Sequence, residues 1–103
     1  MDQPLESRPK PAGPGRYSRP WSIRETLVVR TVGAEVRRLR QAAAMSVYEL
    51  AERLGISQPY VSMIENQERP IDVTLLFDLA DIFDVPPTHF VEIAAREIKR
   101  FEP

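Results

Sequence analysis

Val47-Tyr48-Glu49-Leu50-Ala51-Glu52-Arg53-Leu54-Gly55-Ile56-Ser57-Gln58-Pro59-Tyr60-Val61-Ser62-Met63-Ile64-Glu65-Asn66 is the stretch on which the fold turns. Val47, Leu50, Ala51 and Leu54 recur at the spacing of one helix face. Gly55 follows the last turn, where a residue of positive φ ends a helix. Ser57 has the chemistry of an N-cap for a second helix, and Pro59 lies in its first turn, where a missing N–H does no harm. Two short helices joined at Gly55-Ile56-Ser57 need a small residue where they cross, and Ala51 supplies it. They need a residue tolerant of left-handed backbone in the turn, and Gly55 supplies it. They need aliphatic side chains to pin one helix on the other, and Leu50, Ile56, Val61 and Ile64 supply them. Meeting all three requirements within one short stretch is far more specific than meeting any one.

Upstream, Ser46 and Glu49 form a capping box. Before it, Val32, Val36, Leu39 and Ala43 lie on one face of a further helix, with Arg37, Arg38 and Arg40 on its other faces, and Ala42-Ala43-Ala44 favours helix. Ser22 and Glu25 form another capping box, which predicts a short helix there, although Val28-Val29 favours strand. Downstream, Pro70 ends the helix begun at Ser57. Asp72 caps a fourth helix with Val73, Leu76, Ala80 and Phe83 inward, and Val85-Pro86-Pro87 breaks it. Thr88 is the expected cap of a fifth, with Phe90, Ile93, Ala94, Ile98 and Phe101 along one side. The fold class expected is all-α, a five-helix domain over residues 22–103. Pro4, Pro9, Pro11, Pro14 and Pro20, with Gly13 and Gly15, mark residues 1–21 as a disordered basic arm.

Composition narrows the function. The chain has 103 residues, enough for one small domain and a tail. There is no cysteine and one histidine, His89, so neither thiolate nor His-based metal sites are expected. No cofactor, no nucleophile–base constellation and no phosphate-binding glycine loop is read, so an enzyme is not expected. No apolar run suggests a membrane span, and prolines interrupt the N-terminus where a secretory signal would need an apolar core. A cytoplasmic protein is expected. The net charge of −1 hides a gradient. Residues 1–30 carry six basic and three acidic side chains, residues 31–70 five of each, and residues 71–103 three basic and seven acidic. A basic head and an acidic tail fit a molecule with one side turned to nucleic acid.

The segments Gly33–Arg40, Leu50–Gln58 and Val61–Asn66 resemble the lambda repressor/Cro-like (XRE-type) helix-turn-helix family, and the resemblance extends over about Val32–Val91. It implies a DNA-binding domain whose third helix enters the major groove with its N-terminal half against base edges. On that resemblance Gln58, Pro59, Tyr60, Ser62 and Met63 would face DNA. Gln58 would pair with adenine, Tyr60 would reach a phosphate or a thymine methyl, and Met63 would make apolar contacts. Arg37, Arg40, Arg53 and Arg69 would be backbone contacts, Arg40 alternatively a salt-bridge residue, and Glu65 would brace the fold by local hydrogen bonds. The chain departs from the family pattern at Val47, where a glutamine is usual, at Gln67, where a glycine is usual, and at Glu68, where a basic residue is common. A homodimeric repressor on a palindromic operator is the expected function. Phe90, Ile93, Ala94, Ile98, Phe101 and the segment Trp21–Val29 would form the dimer surface. With no effector domain expected, regulation would come from concentration, proteolysis or a protein partner. The alternative is a protein-interaction module or antitoxin-type protein.

Overall fold

The computed structural model describes residues 20–102; the expected arm over residues 1–21 lies almost entirely outside them. The described residues form five helices and no strand: α1 Ile23–Ala42, α2 Val47–Leu54, α3 Gln58–Glu65, α4 Val73–Phe83 and α5 Thr88–Phe101. The all-α, lambda repressor-like architecture read from the sequence is the one observed.

Local chemistry sets the boundaries. At α1 the Ser22 hydroxyl accepts from the Glu25 N–H and the Glu25 carboxylate accepts from the Ser22 N–H. The Ser46–Glu49 pair does the same for α2. Ser57 caps α3 and Asp72 caps α4, each accepting from a backbone N–H three residues on. Thr88, expected as a cap, is instead the first residue of α5; Pro87 precedes it with helical backbone and no side-chain cap, since a proline ring already holds φ near the helical value.

Helices α1 to α4 end alike. In each, two N–H groups just past the helix turn back onto its last carbonyls through a residue of positive φ. Gly55 plays this part after α2, but Ala44, Gln67 and Asp84 play it after α1, α3 and α4, with φ of 54°, 65° and 55°. The first of these stops α1 at Ala42, so the alanine run does not extend it and Ala43 is exposed.

The short helix expected at Ser22 is the beginning of α1, which runs unbroken to Ala42. Val28 and Val29 do not divert it, because Val29 is buried and Val28 packs on the core; burial overrides a β-branched residue's mild reluctance. The core gathers Val32, Val36, Leu50, Ala51, Val61, Ile64, Leu79 and Phe90 from all five helices. In α4 the buried residues are Leu75, Leu79 and Ala80, whereas Val73 is 69% exposed. The expected inner face was therefore out of phase at Val73. A helix so rich in apolar residues satisfies the 3.6-residue period in more than one phase. Helices α1 and α5 run antiparallel: Arg24, near the start of α1, pairs with Glu102 beyond the end of α5, and Glu35, farther along α1, pairs with His89 in the first turn of α5.

Candidate nucleic-acid interface

The position of α3 is decided by α1. Gly33 lies where the Ile64 carbonyl comes in so closely that a Cβ on Gly33 would stand 2.3 Å from its oxygen. Only glycine permits that approach. One to two turns on, Arg40 grips Glu65: its Nε donates to Oε2 at 2.7 Å and its Nη2 to Oε1 at 2.9 Å. Its Nη1 donates to the Met45 carbonyl at 2.8 Å, so one guanidinium joins α1, the α1–α2 turn and α3. Glu65 is 2% exposed. The neighbouring carboxylate holds the Arg40 pKa above its ordinary value, mainly through their hydrogen bonds, and burial opposes the rise. Arg37 adds a long contact to Glu65 and donates from Nη2 to the Asn66 side-chain oxygen at 2.7 Å. Glu65 thus braces the fold, though not by the local hydrogen bonds expected: its partners are two arginines of another helix, 25 and 28 residues away.

This geometry sorts the residues singled out in the sequence. Tyr60, Val61, Ile64 and Glu65 are the buried side of α3. Gln58 and Pro59 are exposed, Ser62 and Met63 are half-buried, and Asn66 is exposed at the C-cap. Pro59, Ser62, Met63 and Asn66 follow the i, i+3, i+4, i+7 pattern of one helix face, with Gln58 beside it. Two residues of the expected set are turned inward. Tyr60 is only 8% exposed and packs in the core, because it follows the N-terminal pair by the step that turns a helix inward. The Arg69 guanidinium lies over its ring, 4.5 Å from the centroid. Arg40 is turned inward as well, with a side chain 13% exposed and each of its three guanidinium nitrogens donating within the chain. Arg53 is exposed at the end of α2 and Arg37 is half exposed. Asn66 was not singled out; its place seven residues after Pro59 on the outer face was the available signal.

The apolar face of α5 is also divided. Phe90 and Ala94 are buried in the chain's own core, so they take no part in a dimer surface of the folded chain. Ile93 and Ile98 are half-buried, and Phe101 is 60% exposed.

Residues 36–90 match the helix-turn-helix family model, from the middle of α1 to the first turn of α5. The chain belongs to the helix-turn-helix family. Among relatives, it is 41% identical over 58 residues to the HTH-type transcriptional regulator PrpR of Mycobacterium tuberculosis, covering 56% of this chain and 12% of that protein. It is 38% identical over 66 residues to the propionyl-CoA carboxylase regulator of Cereibacter sphaeroides, covering 64% of this chain and 14% of that protein. With RamB of Mycobacterium tuberculosis, another HTH-type transcriptional regulator, it shares 39% over 59 residues, 57% of this chain and 12% of the other. The matching region thus spans only 12–14% of these relatives. The helix-turn-helix match takes in Arg40 and Glu65 but begins after Gly33, so the close approach at Gly33 is additional to it. No described helix is long and apolar enough to cross a membrane.

Proposed function

We propose that this chain is a cytoplasmic DNA-binding transcriptional regulator that lays α3 in the major groove. The observation that carries the reading is the outer face of α3, where Gln58, Pro59, Ser62, Met63 and Asn66 stand together on a helix clamped from behind. The names of the relatives point the same way. In this reading Gln58 reads a base, Arg53 and Arg37 approach phosphates, and residues 22–103 form the folded unit. The arm over residues 1–21 adds Arg8, Lys10, Arg16 and Arg19 to the electrostatic attraction.

The regulator acts as a homodimeric repressor on a palindrome, since one small domain makes few phosphate contacts alone. Ile23, 74% exposed, and Phe101 lie at the ends of α1 and α5 that the Arg24–Glu102 pair brings together. With Ile93 and Ile98 they make up the dimer surface. A second reading, a protein partner, is favoured by Val73 and Phe77, exposed one turn apart on α4. Salt separates the two readings. Binding to a duplex pool followed by fluorescence anisotropy should weaken steeply as salt rises, and each phosphate contact contributes about 0.9 to the slope of log K against log salt. Gln58→Ala should lower affinity for a selected site by about 1–3 kcal/mol with an unchanged melting temperature. Salt-independent binding, or equal affinity for wild type and variant, would count against DNA recognition by this face.

A further inference from the structure

The chemistry of the outer face of α3 narrows what it can read. No arginine or lysine occurs between Gln58 and Glu65. Of the cations nearby, Arg40 and Arg37 hold Glu65 and Asn66 and Arg69 lies over the Tyr60 ring, while the exposed Arg53 belongs to α2 and not to this face. Guanine's commonest partner, a bidentate arginine or lysine, is therefore missing from this face. What the face offers is an amide at Gln58, a second at Asn66 whose oxygen already accepts from Arg37, one hydroxyl at Ser62, and apolar atoms at Pro59 and Met63. Met63 is half-buried, with an unbranched, polarisable thioether that adapts to an apolar neighbour. In the major groove the apolar feature on a base edge is the thymine C5-methyl group, and the partner of a glutamine amide is adenine.

We infer that this chain reads A·T pairs, and that Met63 senses the methyl group of a thymine. The inference rests on the DNA-binding reading above and goes further by naming the base chemistry.

The test uses the full chain and a randomised duplex pool. Sites enriched from the pool are resynthesised with each thymine replaced in turn by deoxyuridine, which removes the methyl and nothing else. At least one thymine per half-site should lose about fourfold in affinity, the worth of one buried carbon. Met63→Ala should bind the thymine and uracil forms of that position equally, and Met63→Leu should keep the distinction. Because the uracil series uses the wild-type protein, it does not depend on how a variant folds. At the same position a 5-methylcytosine·guanine pair should bind better than a cytosine·guanine pair. An enriched site whose thymines all tolerate uracil, or one built of guanine contacts, overturns the inference while leaving DNA binding intact. No enrichment, together with salt-independent binding, overturns the DNA-binding reading itself.

Discussion

Helix α1 makes two contacts of different kinds. Toward α3 it presents a glycine backbone against a carbonyl and a buried guanidinium on a buried carboxylate. Toward α5 it presents apolar packing around Phe90 and Ala94, fringed by the more exposed pairs Glu35–His89 and Arg24–Glu102. Apolar packing accepts many side chains of similar volume. A backbone approach accepts no Cβ, and a two-pronged buried ion pair does not tolerate the loss of one partner alone. Helix α3 is therefore oriented by groups with few single substitutes, whereas α5 is held by groups with many.

The largest effect is expected of Glu65→Ala. It leaves Arg40 partly buried beside no carboxylate, and it should cost about 3–5 kcal/mol in urea unfolding. A loss under about 1 kcal/mol, typical of exposed pairs, would put the α1–α3 contact on the same footing as the α1–α5 fringe. Gly33→Ala comes next. Its methyl would displace the Ile64 carbonyl, and a loss of about 1–3 kcal/mol is expected. DNA affinity should fall by more than the loss of folded protein explains, because the whole of α3 must shift.

On the α5 side of α1 the response to acid is the measurable property. Glu35 sits below its ordinary value of 4.5, chiefly through its hydrogen bonds to Arg38; burial opposes this, and His89 adds to the lowering. The unfolded chain then binds the proton more readily than the folded one. The stabilisation is complete above pH 4.5 and is lost as pH falls below it through the folded value. Melting temperatures of wild type and Glu35→Gln should therefore differ at neutral pH and converge below pH 4.5. A gap that stays constant down to pH 3 would show that Glu35 contributes by packing alone. The smallest expected effect is a gain. Gln67 holds φ at 65°, where the family usually has glycine. Gln67→Gly relieves a left-handed conformation costing roughly 1–2 kcal/mol and adds roughly 0.5–1 kcal/mol of glycine chain entropy. A net rise of about 0.5 kcal/mol is expected, read as a small increase in melting temperature.

Much of this was legible in the sequence because it is written locally. Ser22–Glu25, Ser46–Glu49, Ser57, Asp72 and Gly55 each act within four residues of their own position. What was not legible depends on phase or on distance along the chain. Tyr60 looked like an outward aromatic because an eight-residue helix offers too few turns to settle which side faces in. Val73 was misplaced because α4 has apolar residues nearly all round. Arg40 and Glu65 are separated by 25 residues, and nothing local tells a salt bridge from a phosphate contact. Ala44 and Asp84 lie outside the glycine rule for helix ends, so only the backbone identifies them as terminators, whereas Gln67 stands where the resemblance places a glycine. Residues 1–19 and 103 lie outside the described chain.

Helix α3 is one of the two shortest in the described chain. Eight residues rise about 12 Å, which matches the axial span of roughly three to four base pairs at about 3.4 Å each. Four letters recur by chance roughly every few hundred positions, and a genome offers about a million or more competing positions. One copy of this helix therefore carries too little information to single out an address. A mirrored pair of half-sites roughly squares the odds, and even then many chance matches remain. On the proposed reading of α3, selectivity comes from the number and spacing of sites occupied together.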